Sequence, residues 1–422
     1  MNAPVGTAER IESAVTAMGP GPLTEAGVQR HVAPLFSRMR SAWRDRIYLA
    51  NHSLGRPLDA IDDDVREGMD AWYARMGDAW EPWEAEMRAY RGRLARLLGA
   101  ARADCVVPKT SAGQGLRAIL NIYDTVPRVV ATRGEFDSLD VILREYARRG
   151  RIMLTFVEPR DGDRFDTADI CVALAQPVDL LVISQVIFNT GQRIADLPAI
   201  IGAAHAAGGR VLLDTYHALG VYPFDIEALD ADFAVGGAYK YLRGGPGAGF
   251  LYLHPRHLDG DLRTLDTGWF AKRDPFAYRR PDPPQYGAGG DAFLESTPAV
   301  LPIYQARAGQ LLTLALDVAR IRAHSLAQQQ RLVALLAERA IAATGGTDDR
   351  GAFVTVIDER AERWSDALAE GGIVTDARGR YLRLCPDVLT TDAELVAVAD
   401  GLAKVSGQPV GRASARRAAE QG

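Results

Sequence analysis

Between about residue 100 and residue 255, short β-branched apolar runs alternate with stretches of helical spacing. That alternation restricts the segment to a largely parallel sheet covered by helices. The runs are CVVPK (105–109), RVVATR (128–133), IMLTFVEP (152–159), DLLVISQVIF (179–188), RVLLDTYH (210–217), DFAVGGAY (232–239) and AGFLYLHP (248–255). Several are apolar nearly throughout, as strands buried on both faces must be. The expected fold is therefore α/β, with a seven-stranded, mostly parallel sheet in a large domain. Such sheets bind ligands beyond the carboxyl ends of their strands. Lys109, Arg133, Phe188, Asp214, His217, Tyr239 and Lys240 stand at those ends and are expected to converge on one crevice.

At 422 residues the chain is longer than one core usually serves, which predicts a smaller companion domain. We read residues 1–55 as a helical, amphipathic segment that packs on the small domain or a partner subunit, and 56–300 as the large domain. Residues 301–410 read as a linking helix and a small α+β domain, and 411–422 as a disordered tail. The segment from Arg256 to Tyr286 is rich in Pro, Arg, Asp and aromatics without periodicity, the composition of a long ordered loop. His205 and His324 fall on helical stretches and read as surface residues.

A net charge of −5 offers no field to gather nucleic acid or an anionic membrane, so a small molecule is the expected partner. Cys105, Cys171 and Cys385 lack CxxC spacing and suggest neither a disulfide framework nor a metal site. No secretory pattern opens the chain and no run reaches membrane-spanning length, so a cytoplasmic location is expected.

Asp214 and Lys240 end neighbouring strand runs. Such a pair is either a strand-end salt bridge or the carboxylate and amine that pyridoxal 5'-phosphate (PLP) needs. In the second case the carboxylate keeps the pyridine nitrogen protonated and the lysine holds the aldehyde as a Schiff base. In PKTSAGQGLRAILN, Thr110, Ser111 and Ala112 precede a helix, either as an ordinary N-cap or as a phosphate cradle.

The block DTYHALGVYPFDIEALDADFAVGGAYKYLRGGPGAGFLYLHP resembles the cofactor segment of kynureninase-like members of aminotransferase class V, which are fold-type I PLP-dependent enzymes. IYLANHSLGRP, SQVIFNTGQ, GWFAKRDPFAY and FLESTPAVLP extend the resemblance over about residues 45–400. It implies that Lys240 forms the imine, Asp214 pairs with the pyridine nitrogen, Tyr239 bonds the phosphate and His217 lies close by. It further implies Phe136 stacked on the ring, and Thr110, Ser111, Ala112, Ser138, Trp269 and Thr297 around the phosphate, Thr297 from a partner subunit in a homodimer. Arg383, Asn51, Ser53 and Tyr216 are expected on the substrate side, with Arg383 receiving the α-carboxylate of an amino acid as a bidentate fork.

Four residues depart from that pattern. Tyr216 stands where the family carries a small residue, Ala218 replaces a serine, Asn189 a basic residue, and Lys272 a histidine. The cofactor set is intact while the substrate side is altered. The resemblance implies hydrolysis of the Cβ–Cγ bond of a γ-keto amino acid with release of alanine. The alternatives are β-elimination or C–S lysis, racemisation or transamination of another amino acid, and, outside enzymes, a non-catalytic protein that binds PLP or an amine.

Overall fold

The computed structural model describes residues 6–408, so the tail expected at 411–422 lies outside the described residues. Apart from β1 (Ile47–Tyr48), the strands up to residue 253 build one sheet: β2 (Val106–Lys109), β3 (Arg128–Thr132), β4 (Met153–Val157), β5 (Leu180–Ser184), β6 (Arg210–Asp214), β7 (Phe233–Gly237) and β8 (Gly249–Leu253). Their order is β2-β8-β7-β6-β5-β3-β4. Neighbours from β7 to β4 are parallel, while β8 runs antiparallel to both β7 and β2. Every expected run supplies a strand, and each strand is shorter than its run.

Burial follows position in the sheet. β5, β7 and β8 are buried at every residue, whereas edge strand β4 exposes Met153 and half-buries Leu154. Pro108, which has no N–H to give a ladder, sits on the other edge strand, β2. Helices pack their apolar stripes on the sheet through Leu94, Leu98, Leu116, Ile119, Ile200 and Ala204. Six strands point the same way, so Lys109, Thr132, Val157, Ser184, Asp214 and Gly237 end at one edge, together with the start of β8.

Beyond this sheet, helices Val300–Leu316 and Val318–Ala337 are separated at Asp317, whose φ of 70° breaks the first and whose side chain caps the second through Ala319 and Arg320 N–H. β9 (Val354–Ile357), β10 (Ile373–Val374), β11 (Asp376–Arg378) and β12 (Tyr381–Leu384) follow; β11-β12-β9 form an antiparallel sheet, and β10 pairs in parallel with β1. The first helix, Thr7–Thr16, buries Ile11 and Val15 beside Phe36, Leu312, Leu316, Val388 and Leu389.

Two contacts carry these outer elements to the crevice. Gly55 N–H donates to Tyr239 C=O at 2.8 Å, and a Cβ on Gly55 would stand 1.9 Å from the Lys240 carbonyl oxygen. Only a glycine permits that approach. Arg243, three residues past Lys240, holds buried Asp387 at 2.9 Å. Removing one partner of a buried pair strands the other charge. Asp387→Ala is expected to lower stability by about 3–5 kcal/mol, read from urea unfolding of the apoprotein.

Candidate active site

At the carboxyl edge of the sheet, Thr110, Ser111, Ala112, Phe136, Ser138, Ser184, Phe188, Asp214, Tyr216, His217, Tyr239 and Lys240 line one cavity of about 140 Å³. Asp214 ends the central strand β6, flanked in register by Ser184 of β5 and Val235 of β7. One of its oxygens accepts the Tyr216 N–H at 2.8 Å. Ser111 caps the helix Ala112–Leu120 by accepting from Gln114 N–H, so it is an N-cap and a cavity residue at once. Phe136 and Ser138 come from the start of the helix Asp137–Arg148, with Phe136 edge-on to Phe188 at 5.4 Å.

Lys240 and Asp214 form no direct ion pair. Lys240 Nζ instead lies 2.8 Å from His217 Nε2, and His217 Nδ1 lies 3.1 Å from the Tyr241 hydroxyl. Burial holds His217 well below the usual histidine range, so the ring is neutral. A neutral ring that accepts from the lysine through Nε2 carries its proton on Nδ1 and donates it to Tyr241. Burial also lowers Lys240 to about 8, against the opposing pull of Asp214, and raises Asp214 to about 6. The cavity therefore keeps an amine and a carboxyl group apart, both poised near neutral pH.

Three further side chains, Ser184, Glu135 and His52, escaped the sequence reading. Ser184 lies inside an apolar run and read as mere strand. Behind it Glu135 is fully enclosed: it accepts from the Thr132 and Ser184 hydroxyls, each at 2.6 Å, and burial pushes it up to about 7. His52 is the third. It is buried, lies tilted against Phe353 with ring centres 5.0 Å apart and stands 3.6 Å from Asp376, with burial lowering it to about 3.

Several expected residues stand elsewhere. Lys109 reaches Glu295 and the Phe293 carbonyl, and Arg133 extends over Phe156 to Glu158, each drawn to a carboxylate outside the cavity. Arg383 lies outside the cavity lining, with Nη2 on Asp376 at 2.8 Å and Nη1 on the Phe188 carbonyl at 2.6 Å. Two of its five N–H groups are thus engaged. Asn51 donates to the Cys385 carbonyl and lines a small recess on the far side of Lys240, while Ser53 joins neither lining. Trp269 donates to Thr297 within the same chain at 3.1 Å, and Thr297 borders an adjoining recess that shares Thr110, Gly247 and Ala248 with the cavity. His205 is not free at the surface, since Nε2 meets buried Asp232 at 2.8 Å, and His324 meets the Leu23 carbonyl at 3.1 Å.

Residues 66–379 match the family model for aminotransferase class V, and the chain belongs to that family. Its sequence relatives there are kynureninases: that of Deinococcus radiodurans is 30% identical, covering 82% of this chain and 84% of the relative, and that of Salinispora tropica is 28% identical, covering 86% and 90%. Among solved structures, a cystine C-S lyase in complex with cysteine persulfide superposes with a TM-score of 0.77 at 18% identity, covering 86% of this chain and 98% of the other. The apo cysteine desulfurase of Thermococcus onnurineus gives 0.73 at 16%, covering 86% and 95%. These two likenesses establish a shared fold, that of the fold-type I enzymes.

The protein is accordingly an enzyme whose cofactor is PLP. The cavity suits that group: an acid-base carboxyl at its floor, a buried amine, an aromatic face, and hydroxyl and amide donors at two helix starts.

The pH behaviour of the apoprotein tests the electrostatics. Asp214 binds its proton more tightly folded than unfolded, so its contribution to stability falls as pH rises from its ordinary value of 3.8 through about 6. Asp214→Asn removes that loss. The variant is expected to gain roughly 2–3 kcal/mol relative to the native apoprotein between pH 4 and pH 7 in urea unfolding.

Proposed function

We propose that the protein is a kynureninase-like hydrolase that cleaves the Cβ–Cγ bond of a γ-keto amino acid and releases alanine. The observation that carries this reading is the Lys240 amine, buried against a neutral His217 and facing Asp214 across a cavity, in a chain whose sequence relatives are kynureninases. PLP, when bound, supplies an electron sink for negative charge that develops on the substrate carbons.

In this reading Lys240 would hold the cofactor and, as a free amine, would take the substrate α-proton. A pKa near 8 lets the lysine take and return a proton close to neutral pH. Asp214 keeps a proton at the pyridine nitrogen, and His217 keeps the lysine aimed through its short contact. Thr110, Ser111, Ala112, Ser138 and Tyr239 hold the phosphate, and Phe136 covers the ring. Arg383 takes the substrate carboxylate with the N–H groups that Asp376 and Phe188 leave free. Water then adds at the γ-carbonyl, the Cβ–Cγ bond breaks, and Cβ takes up a proton, giving alanine and a carboxylic acid. We further propose a homodimer; Trp72, Tyr73 and Met76 present exposed apolar surface for it.

Purified enzyme with L-kynurenine or its hydroxylated analogue is expected to release one alanine per carboxylic acid formed. Without alanine from either, the hydrolase reading fails. Mass detection across an amino-acid panel separates the other outcomes, since ammonia with a keto acid marks elimination and dependence on a keto-acid acceptor marks transamination. Lys240→Ala is expected to lose borohydride-trappable cofactor and to lower turnover by roughly 10²–10⁴.

A further inference from the structure

Tyr216 departs from the family pattern in the middle of the cofactor cavity, and the fold has made specific room for it. The Lys240 amine is ringed by aromatics, with Nζ 5.2 Å from the centre of Phe136, 5.4 Å from Tyr216 and 5.5 Å from Tyr239. Phe136 reaches the cavity from the β3 flank of Asp214. Tyr216 leans the opposite way, toward β7 and the loop after β2. Its hydroxyl oxygen lies against Gly237 and close to the backbone of Ala112, first residue of the helix Ala112–Leu120.

Gly237 explains how the phenol fits. A Cβ at that position would stand 2.2 Å from Tyr216 Oη, 2.6 Å from Cζ and 2.8 Å from Cε1. The position lies in β7, a central strand, where the backbone is extended and any residue would serve. Glycine in a strand interior costs stability and marks a close approach. Here the approaching group is the Tyr216 ring. A tyrosine hydroxyl both accepts and donates. Among the described residues no protein group takes the Tyr216 hydroxyl proton, which leaves it free for an acceptor in the cavity that Tyr216 lines with Thr110, Ser111 and Ala112.

We propose that Tyr216 is a positioning residue, seated by Gly237, that walls the cofactor slot opposite Phe136 and donates its hydroxyl proton to the cofactor phosphate. This rests on the assignment of PLP as cofactor. Between them the two aromatic rings restrict tilt of the cofactor ring, and the hydroxyl adds a charge-assisted bond to the phosphate.

The test is cofactor affinity and the visible circular dichroism of the bound cofactor, both independent of turnover. Tyr216→Phe keeps the wall and loses the donor, so PLP is expected to bind roughly tenfold more weakly with little change in dichroism. Tyr216→Ala is expected to bind more weakly still and to change the dichroic band. Inorganic phosphate, as a competitor of PLP uptake, is expected to weaken by a similar factor in Tyr216→Phe. Gly237→Ala, whose new methyl displaces the phenol, is expected to mimic Tyr216→Ala, and the double variant to add nothing further.

Unchanged affinity and dichroism in both Tyr216 variants would overturn the proposal. So would tighter binding by Tyr216→Ala, which would make the ring a plug that the cofactor displaces. Should Gly237→Ala fail to fold, the two Tyr216 variants still decide. A native protein that takes up no PLP would instead overturn the cofactor assignment itself.

Discussion

A lysine amine withdrawn from water is the constraint around which the rest of this structure is arranged. Charging Lys240 in its buried position is costly. The fold offers it His217 as a direct acceptor and Asp214 as a separated counter-charge, in place of a tight ion pair that would hold it fully protonated. The separation is what makes the site chemical. A salt bridge would satisfy both groups and leave neither for a ligand, whereas an amine and a carboxyl group held apart in one cavity are each available to a molecule between them.

That arrangement is maintained from outside the main sheet. The Gly55 turn presses on the Tyr239–Lys240 backbone, and the Arg243–Asp387 pair ties the following loop to the C-terminal segment. Buried Arg383 and His52 form a further cluster behind the lysine with partly buried Asp376. The large sheet supplies the floor, and the two ends of the chain supply the clamp that fixes where the lysine stands.

Much of this was legible in the sequence, for identifiable reasons. Strands buried on both faces, such as β5, β7 and β8, write themselves as continuous apolar runs, and the half-exposed edge strand β4 keeps enough β-branched and aromatic residues to be read beside them. The cofactor-side residues from Asp214 to Lys240 lie in one stretch, where order and spacing carry the pattern. What escaped depends on register between distant strands. Glu135 matters because β3 and β5 are neighbours, which places it against Ser184, and neither residue signals the other along the chain. Lys109 and Arg133 stand at strand ends like Asp214, yet each is taken by a carboxylate outside the cavity, Glu295 and Glu158, that nothing nearby in the sequence marks as its partner. Arg383 was recognised as a fork, but its engagement by Asp376 and the Phe188 carbonyl follows only from the packing of two sheets.

The contact between Gly55 and Lys240 also bears on the order in which the molecule assembles. The two residues are separated by most of the large sheet, so their meeting is a non-local contact, of the kind that forms late in folding. During synthesis the N-terminal turn emerges well before the strand it must press upon exists, and waits without its partner. The crevice is thus completed only when the central strands are already in place, which ties the ability to capture a ligand to the last steps of folding.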